Sequence, residues 1–423
     1  VSNSFSKEER VAFEDILEGF QDLLVLSRHV SIYNTDQTMM ARTNDTIWRP
    51  MPYIAQSQTS APGTPVTYQN MTQLSVPSTI GFSQTVPWTM TTLDLRDALQ
   101  EGRLGESAKQ KLASDINVAI MNTAAAQGTL VVPIVGAAGD YDDVSLCDTI
   151  MNEQGVPDYD RFLGLSSRDY NGMAGNLAVA TRSFGNPKSN LAYERNQVGM
   201  VAGFDTYKFD YANRIAVAAG GVTTIDTTGA QAQYVPQATS TSVGGQINVD
   251  NRYQTVTVSN SAGVVAGDAF TIDGIYAVHH ITKVSTGQLK TFRVISVPAG
   301  GVTLVISPPI IAATAPATDA ELQYKNVQLV AAGGAAPLNW LNTGASAINV
   351  FWQKDSLEIL PGRYAIPSDA GTAVMRATTD QGVELVMQKF YDIDSMVIKY
   401  RLDTLFGVVN KQPEMSGILL FNQ

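Results

Sequence analysis

The stretch GESAKQKLASDINVAIMNTAAAQ, Gly105 to Gln127, places Ala108, Leu112, Ile116, Ala119, Ile120 and Thr123 on one helical face. Gly128 stands where such a helix stops. At 1.5 Å per residue this helix runs about 34 Å. Immediately upstream the character is the opposite. Between Thr46 and Asp94, Pro50, Pro52, Pro62, Pro65, Pro77 and Pro87 punctuate Thr, Gln and Ser, which excludes helix. Two β-like stretches, TIWRPMPYI (Thr46–Ile54) and TIGFSQTVPWTM (Thr79–Met90), flank a polar middle and predict a long hairpin protruding from a body. A loop of that length with no core of its own is functional or disordered, and its functional use here would be to grip another subunit.

Further out, Phe13, Ile16, Leu17, Phe20, Leu23 and Leu24 fall at helical spacing behind a capping box at Ser6 to Glu9. That N-terminal helix either packs on its own core or lies as an arm on a neighbour. Downstream, Val131–Val135 (VVPIV) opens a region of alternating short strand and helix signals to Asp205, an α+β body. From Gly220 to Asn342 the signals are all-β: YQTVTVS, AFTIDGI, TFRVISV and VTLVIS alternate and are separated by Gly, Pro and Asn turns, as in a small antiparallel barrel or sandwich. NVFWQKDSLEIL (Asn349–Leu360) returns to body-like pattern, and Glu384–Val409 reads as two strands of a sheet. That order is explained by a β-domain inserted into an α+β body.

With 423 residues, two or three compact units are expected. Charged residues are only 16% of the chain, below the roughly 25% usual for soluble globular proteins, a balance that favours protein–protein contact. The net charge of −11 and the absence of any Lys/Arg run argue against binding nucleic acid through its phosphates. A wall of that sign would enclose DNA without sticking to it. Cys147 is the single cysteine, so no intrachain disulfide forms and folding in a reducing cytoplasm is expected. No apolar run is long enough to span a membrane, and VSNSFSKEER lacks the basic-then-apolar pattern of a signal peptide.

The candidate chemistry is sparse. His279 and His280 are adjacent in an expected strand, so their side chains would point to opposite faces and could not chelate one ion. They and His29 are read as structural or solvent-facing. Asp140, Asp142 and Asp143 are spaced like the start of a calcium loop, but the Gly at the sixth position and the Glu at the twelfth are missing, and a solvated turn is expected. Trp48, Trp88, Trp340 and Trp352 each sit in an apolar or β-like stretch and are read as core or interface. Cys147 has no nearby His or cation and is expected to be inert. No catalytic, cofactor or metal site is assigned.

The order of parts, with Thr46-Ile47-Trp48 and Pro50, Asp94-Leu95-Arg96-Asp97, Val201–Asp205, Val249–Arg252, Thr255–Val258, Gly267-Asp268 and Asn349–Trp352 in collinear positions, resembles the major capsid (coat) protein of tailed double-stranded DNA phages. Within that group it looks like the coat protein of short-tailed phages with an inserted β-barrel. The resemblance implies an α+β capsid fold divided into an N-terminal helical arm (1–45), an extended hairpin loop (46–93), a peripheral domain with a spine helix (94–135), an axial domain (136–219), an inserted β-barrel (220–342) and a return to axial and peripheral domains (343–423). It implies self-assembly into hexamers and pentamers of an icosahedral virion shell, built in the host cytoplasm around DNA bound without sequence specificity. A scaffolding protein and portal are implied partners, and a decoration protein a further one. Trp48, Arg49, Trp88, Asp94 and Arg96 are the candidate inter-subunit residues. The stretch Ala238–Gln246, the counterpart of an inter-capsomer loop, contains no charged residue, so a charge-paired contact there is not expected. The rival readings are an encapsulin-like compartment and a β-rich tail or adhesin protein.

Overall fold

The structure, a computed structural model, describes residues 4–5, 7–33, 46–52, 54–55, 57, 61–66, 68–91, 98–139, 141–180, 187–209, 213–221, 223–226, 233–314, 317–329, 335–366 and 371–422. The chain forms two compact units: Val1–Ile47, Ser78–Met121 and Leu357–Val409 make the first, and Trp48–Pro77, Asn122–Ser356 and Asn410–Gln423 the second. Among the described residues no helix is long and apolar enough to cross a membrane.

In the first unit, helix α1 (Lys7–Leu23) buries Phe13, Ile16 and Phe20. Its buried Glu9 pairs with Lys389 and accepts from the Tyr400 hydroxyl at 2.8 Å, so α1 is packed on its own unit. Ser6, and with it the expected capping box, lies outside the described residues. Helix α2 (Ala98–Gln127) buries the expected face, Ala108, Leu112, Ile116 and Ile120. It begins seven residues before Gly105, and its 30 residues span about 45 Å. Gly105 would weaken a helix by about 1 kcal/mol relative to Ala. Here it is the point of contact with α1, since a Cβ on it would lie 2.5 Å from Ile16 Cδ1.

The sheet of this unit is organised by the 14-residue strand Val397–Asn410. It pairs antiparallel with Glu384–Asp392, as expected, and with Phe82–Thr91. The latter was expected to be the second arm of the long hairpin. Instead Thr46–Pro50 pairs with Ser75–Thr79. Cross-strand aromatic pairs account for the difference: Phe82 stacks on Phe406 at 5.3 Å and Trp88 on Tyr400 at 5.6 Å between centroids.

The second unit holds a sheet in the order Leu130–Val135, Ser416–Asn422, Ser346–Gln353, Arg161–Ser166, Phe204–Phe209, Met200–Val201. Helices α3 (Tyr141–Gln154), α4 (Ser167–Ala180) and α5 (Pro187–Arg195) accompany it. Val144, Cys147 and Met151 of α3 and Tyr170 and Met173 of α4 share a core with Leu163, Phe204, Phe351 and Leu419. The acidic GDYDDVS stretch is therefore neither a calcium loop nor a free turn where it is described. Asp142 and Asp143 occupy the first turn of α3, where the helix dipole favours carboxylates, and Asp143 accepts from Gly139 N–H at 3.0 Å. Asp140 lies outside the described residues.

A second sheet of this unit follows the path Thr224–Asp226, Ala335–Trp340, Ala269–Val278, Ser285–Ser296, Thr303–Ser307, Gln254–Thr257. The ends of the path meet in an antiparallel bridge between Ile225 and Val258, so the sheet curls around one core of Val256, Phe270, Ile272, Phe292, Val294, Leu304 and Ile306. One element departs from the all-β expectation, helix α6 (Asp319–Tyr324). Thr318 and Glu321 cap it reciprocally, and the T-x-x-E spacing is visible in the sequence. The polar middle of the expected hairpin is tied to it within the same chain. Thr72 N–H donates to Gln323 Oε1 at 3.0 Å, and the Tyr324 hydroxyl donates to Thr72 O at 2.9 Å.

Phe292 is fully buried and stacks on Phe270 at 5.7 Å. Phe292→Ala is expected to cost about 3–5 kcal/mol, measured by urea unfolding of the unassembled chain.

Candidate assembly surfaces

Within the second unit, strand Ser285–Ser296 meets the end of α3 and the turn before the last strand along a polar seam. Lys290, on strand Ser285–Ser296, is 1% exposed. Its Nζ lies 2.6 Å from Glu414 Oε1 and donates to Gln154 Oε1 at 2.6 Å. Glu414 belongs to the short helical turn Pro413–Met415, and Gln154 ends α3. His280 N–H donates to Gln154 O at 3.2 Å, and His280 Nε2 stands 3.3 Å from Glu414 Oε2. Asn326 Nδ2 donates to Glu414 Oε1 at 3.2 Å. Alongside, the Thr291 hydroxyl donates to Thr129 O at 2.8 Å and Arg293 Nη1 to Gly128 O at 3.3 Å.

Burial works to raise the Glu414 pKa, but the Lys290 ammonium and His280 outweigh it and hold the carboxyl well below the usual carboxylate range. Glu414 is thus held as an anion beside the Lys290 ammonium. Lys283, whose Nζ donates to Lys325 O at 3.1 Å, is pushed down to about 8, chiefly by burial. Glu414 opposes that shift, and Lys325 and Lys290 add to it. Burial also lowers Arg293 to about 10, against the pull of Asp268.

The two adjacent histidines lie just past strand Ala269–Val278, in a turn, rather than within the strand. His279 Nδ1 accepts from the N–H groups of Ile281 and Thr282 at 3.2 Å each. Its ring packs on Gly155, which has φ +81° and no room for a side chain, since a Cβ there would be 2.8 Å from His279 Cε1.

Away from the seam, Thr239–Ser242 and Gly245–Asn248 form a two-stranded ribbon with register Thr239↔Asn248 to Ser242↔Gly245. Its tip residue Val243 is fully exposed and Ile247 is 53% exposed. The base is clamped by Asn251, which donates to Gln237 O at 2.8 Å and accepts from Gln237 N–H at 3.0 Å. An isolated two-stranded ribbon with no buried face is marginal in water.

The sequence-derived candidates do not converge on one site. Trp48 and Arg49 are half-buried neighbours on Thr46–Pro50 in the second unit, whereas Trp88 is stacked against Tyr400 in the first. Asp94 and Arg96 lie outside the described residues. Cys147 is buried, and burial, with Asp143 and Asp148 adding to it, pushes its thiol far up. Lys290, Glu414 and Gln154 were not singled out by sequence, because no local spacing connects residues so far apart in the chain.

A shell-forming coat protein is the class these features describe: a long helix, an extended segment, a mixed α/β sheet with its helices and a second, strand-rich sheet with an uncovered ribbon. The family model of the P22 coat protein, gene protein 5, matches residues 1–422, and the chain belongs to that family. It is a major capsid protein of the phage virion, forming the shell by self-association, and not an enzyme. Among solved structures it is similar to the capsid protein of the cyanophage P-SCSP1u, at 9% identity and TM-score 0.45 over 93% of this chain and 86% of that one. It is also similar to the mature capsid protein of bacteriophage PhiM1, at 11% identity and TM-score 0.44 over 94% of this chain and 87% of that one. The CUS-3 coat protein I-domain matches at 35% identity and TM-score 0.21, over 28% of this chain and 96% of that one. The family assignment rests on the full-length family match.

Because the folded pKa of Lys283, about 8, lies below its ordinary 10.5, folding penalises the charged amine in full below pH 8. That penalty fades as pH rises from 8 to 10.5, where the folded chain has released the proton and the unfolded chain has not. Lys283→Met is expected to be more stable than wild type at pH 7, with the gap narrowing toward pH 10.5, in equilibrium unfolding of the unassembled chain.

Proposed function

We propose that the chain assembles as hexamers and pentamers into an icosahedral shell around double-stranded DNA, built in the host cytoplasm with a scaffolding protein and a portal as partners, and open to a decoration protein outside. The observation that carries this reading is the ribbon Thr239–Asn248, uncovered on both faces and free of charge. Uncharged, exposed β-structure of this kind gains its stability by burial against another copy, and its lack of charge makes the contact one of shape and apolar area. Containing DNA follows from geometry, because the chain's net charge of −11 offers its cargo little attraction.

The division of labour along the chain is proposed as a helical arm (1–45), a hairpin loop (46–93), a peripheral domain (94–135), an axial domain (136–219), an inserted domain (220–342) and a return segment (343–423). The closed path and separate apolar core of the insertion support its treatment as one unit. Trp48, Arg49, Trp88, Asp94 and Arg96 remain the proposed inter-subunit residues of the peripheral and hairpin regions.

The test is assembly of the variant Val243→Asp/Ile247→Asp, both side chains being exposed in the single chain. The variant is expected to fold with wild-type circular dichroism and to yield few or no closed shells by electron microscopy. Wild-type shell yield would remove the ribbon from the assembly contacts.

A further inference from the structure

The ribbon's orientation depends on how the insertion is seated, and the seating rests on a small set of directional contacts. A closed sheet laid on a body through apolar contact alone could slide or tilt at little cost, because apolar burial is non-directional. An ion pair with fixed hydrogen-bond partners has one register. Lys290 supplies that here: its ammonium touches the carboxylate of Glu414 and the amide oxygen of Gln154, both at 2.6 Å, and so ties one strand of the insertion to two separate elements of the body. His280 and Asn326 bracket the same carboxylate from two further segments of the insertion, at 3.3 and 3.2 Å. Strand Ser285–Ser296, which carries Lys290, is 12 residues and about 40 Å long. Lys290 lies near the middle of it, so a small rotation at the seam would move both ends of the strand.

We propose that Lys290 and Glu414 are positioning residues for shell geometry: the largely desolvated pair sets the angle of the insertion on the body, and through it the presentation of the Thr239–Asn248 ribbon to neighbouring copies. The inference rests on the ribbon's role in assembly. Its physical basis is that a desolvated ion pair adds little net stability over a well-packed apolar pair yet specifies a single arrangement. A closed shell of hexamers and pentamers requires each copy's contact angles to stay within a narrow range, since a larger error changes curvature and prevents closure. The pair lies inside the chain, so its effect on shells would come from within the subunit.

The experiment compares wild type, Lys290→Arg, Glu414→Gln and the double variant Lys290→Met/Glu414→Met, each as the full chain. Thermal unfolding of the unassembled subunit is read beside the diameter distribution of assembled particles by electron microscopy. Glu414→Gln is isosteric and leaves one cation unpaired, so its melting temperature is expected to fall. The double variant is expected to recover most of that loss and still give particles of broadened diameter or open, irregular sheets. Lys290→Arg, which keeps the charge, is expected to restore uniform shells. Uniform shells from both Glu414→Gln and the double variant would overturn the proposal and leave the pair a purely structural contact. If the double variant does not fold, Glu414→Gln alone decides: uniform shells overturn the proposal, and broadened ones support it. Failure of the wild type to form shells would count against the assembly reading and not against the pair.

Discussion

The contact between the buried Lys290 and the half-buried Glu414 is the constraint proposed to fix the arrangement within the second unit. Taking charges largely out of water costs energy that close pairing with further hydrogen bonds offsets. Gln154, Asn326 and His280 supply those partners where the end of α3, strand Ser285–Ser296, two connecting segments and the turn before the last strand converge on one point. Gly155 belongs to the same convergence, because only a residue without a side chain lets the end of α3 lie against His279. Around this point each partner has its own apolar core, one built on Phe204, Phe351 and Leu419 and the other on Phe270, Phe292 and Ile306.

That division of labour suits a coat subunit. The apolar cores hold each part together, the polar seam is proposed to specify how two of the parts meet, and the ribbon Thr239–Asn248 is left uncovered and uncharged. With charged residues at 16% of the chain, the energetics of assembly must come from shape-matched contacts and burial more than from paired charges. Ordering a ribbon such as Thr239–Asn248 carries a conformational cost that a lone subunit has little contact to offset and a neighbour can supply.

Much of the architecture was legible from local pattern. The apolar stripe of α2, the paired strands Glu384–Asp392 and Val397–Asn410, and the run of short alternating strands between Gly220 and Asn342 all follow from periodicity and turn chemistry. What the pattern missed was decided by distant partners. Helix α2 continues through Gly105 because α1 packs there, and Phe82–Thr91 leaves the expected hairpin because Phe406 and Tyr400 offer aromatic partners more than 300 residues away. Helix α6 is a different case, since its Thr318–Glu321 capping box is a local signal present in the sequence within a stretch read as all-β. The seam was invisible for the first reason: Lys290, Glu414 and Gln154 are unremarkable residues in their local contexts and gain meaning only when the fold brings them to 2.6 Å.

The most direct measurement is hydrogen exchange by mass spectrometry on the unassembled subunit and on the assembled shell. A seam formed within the subunit and a ribbon completed only by neighbours require strong protection of strand Ser285–Ser296 and of residues 413–416 in both states. They also require that Thr239–Asn248 exchange rapidly in the free chain and slowly in the shell. A ribbon with the same exchange in both states, or a seam that becomes protected only on assembly, would contradict this division between contacts made inside the chain and contacts made between chains.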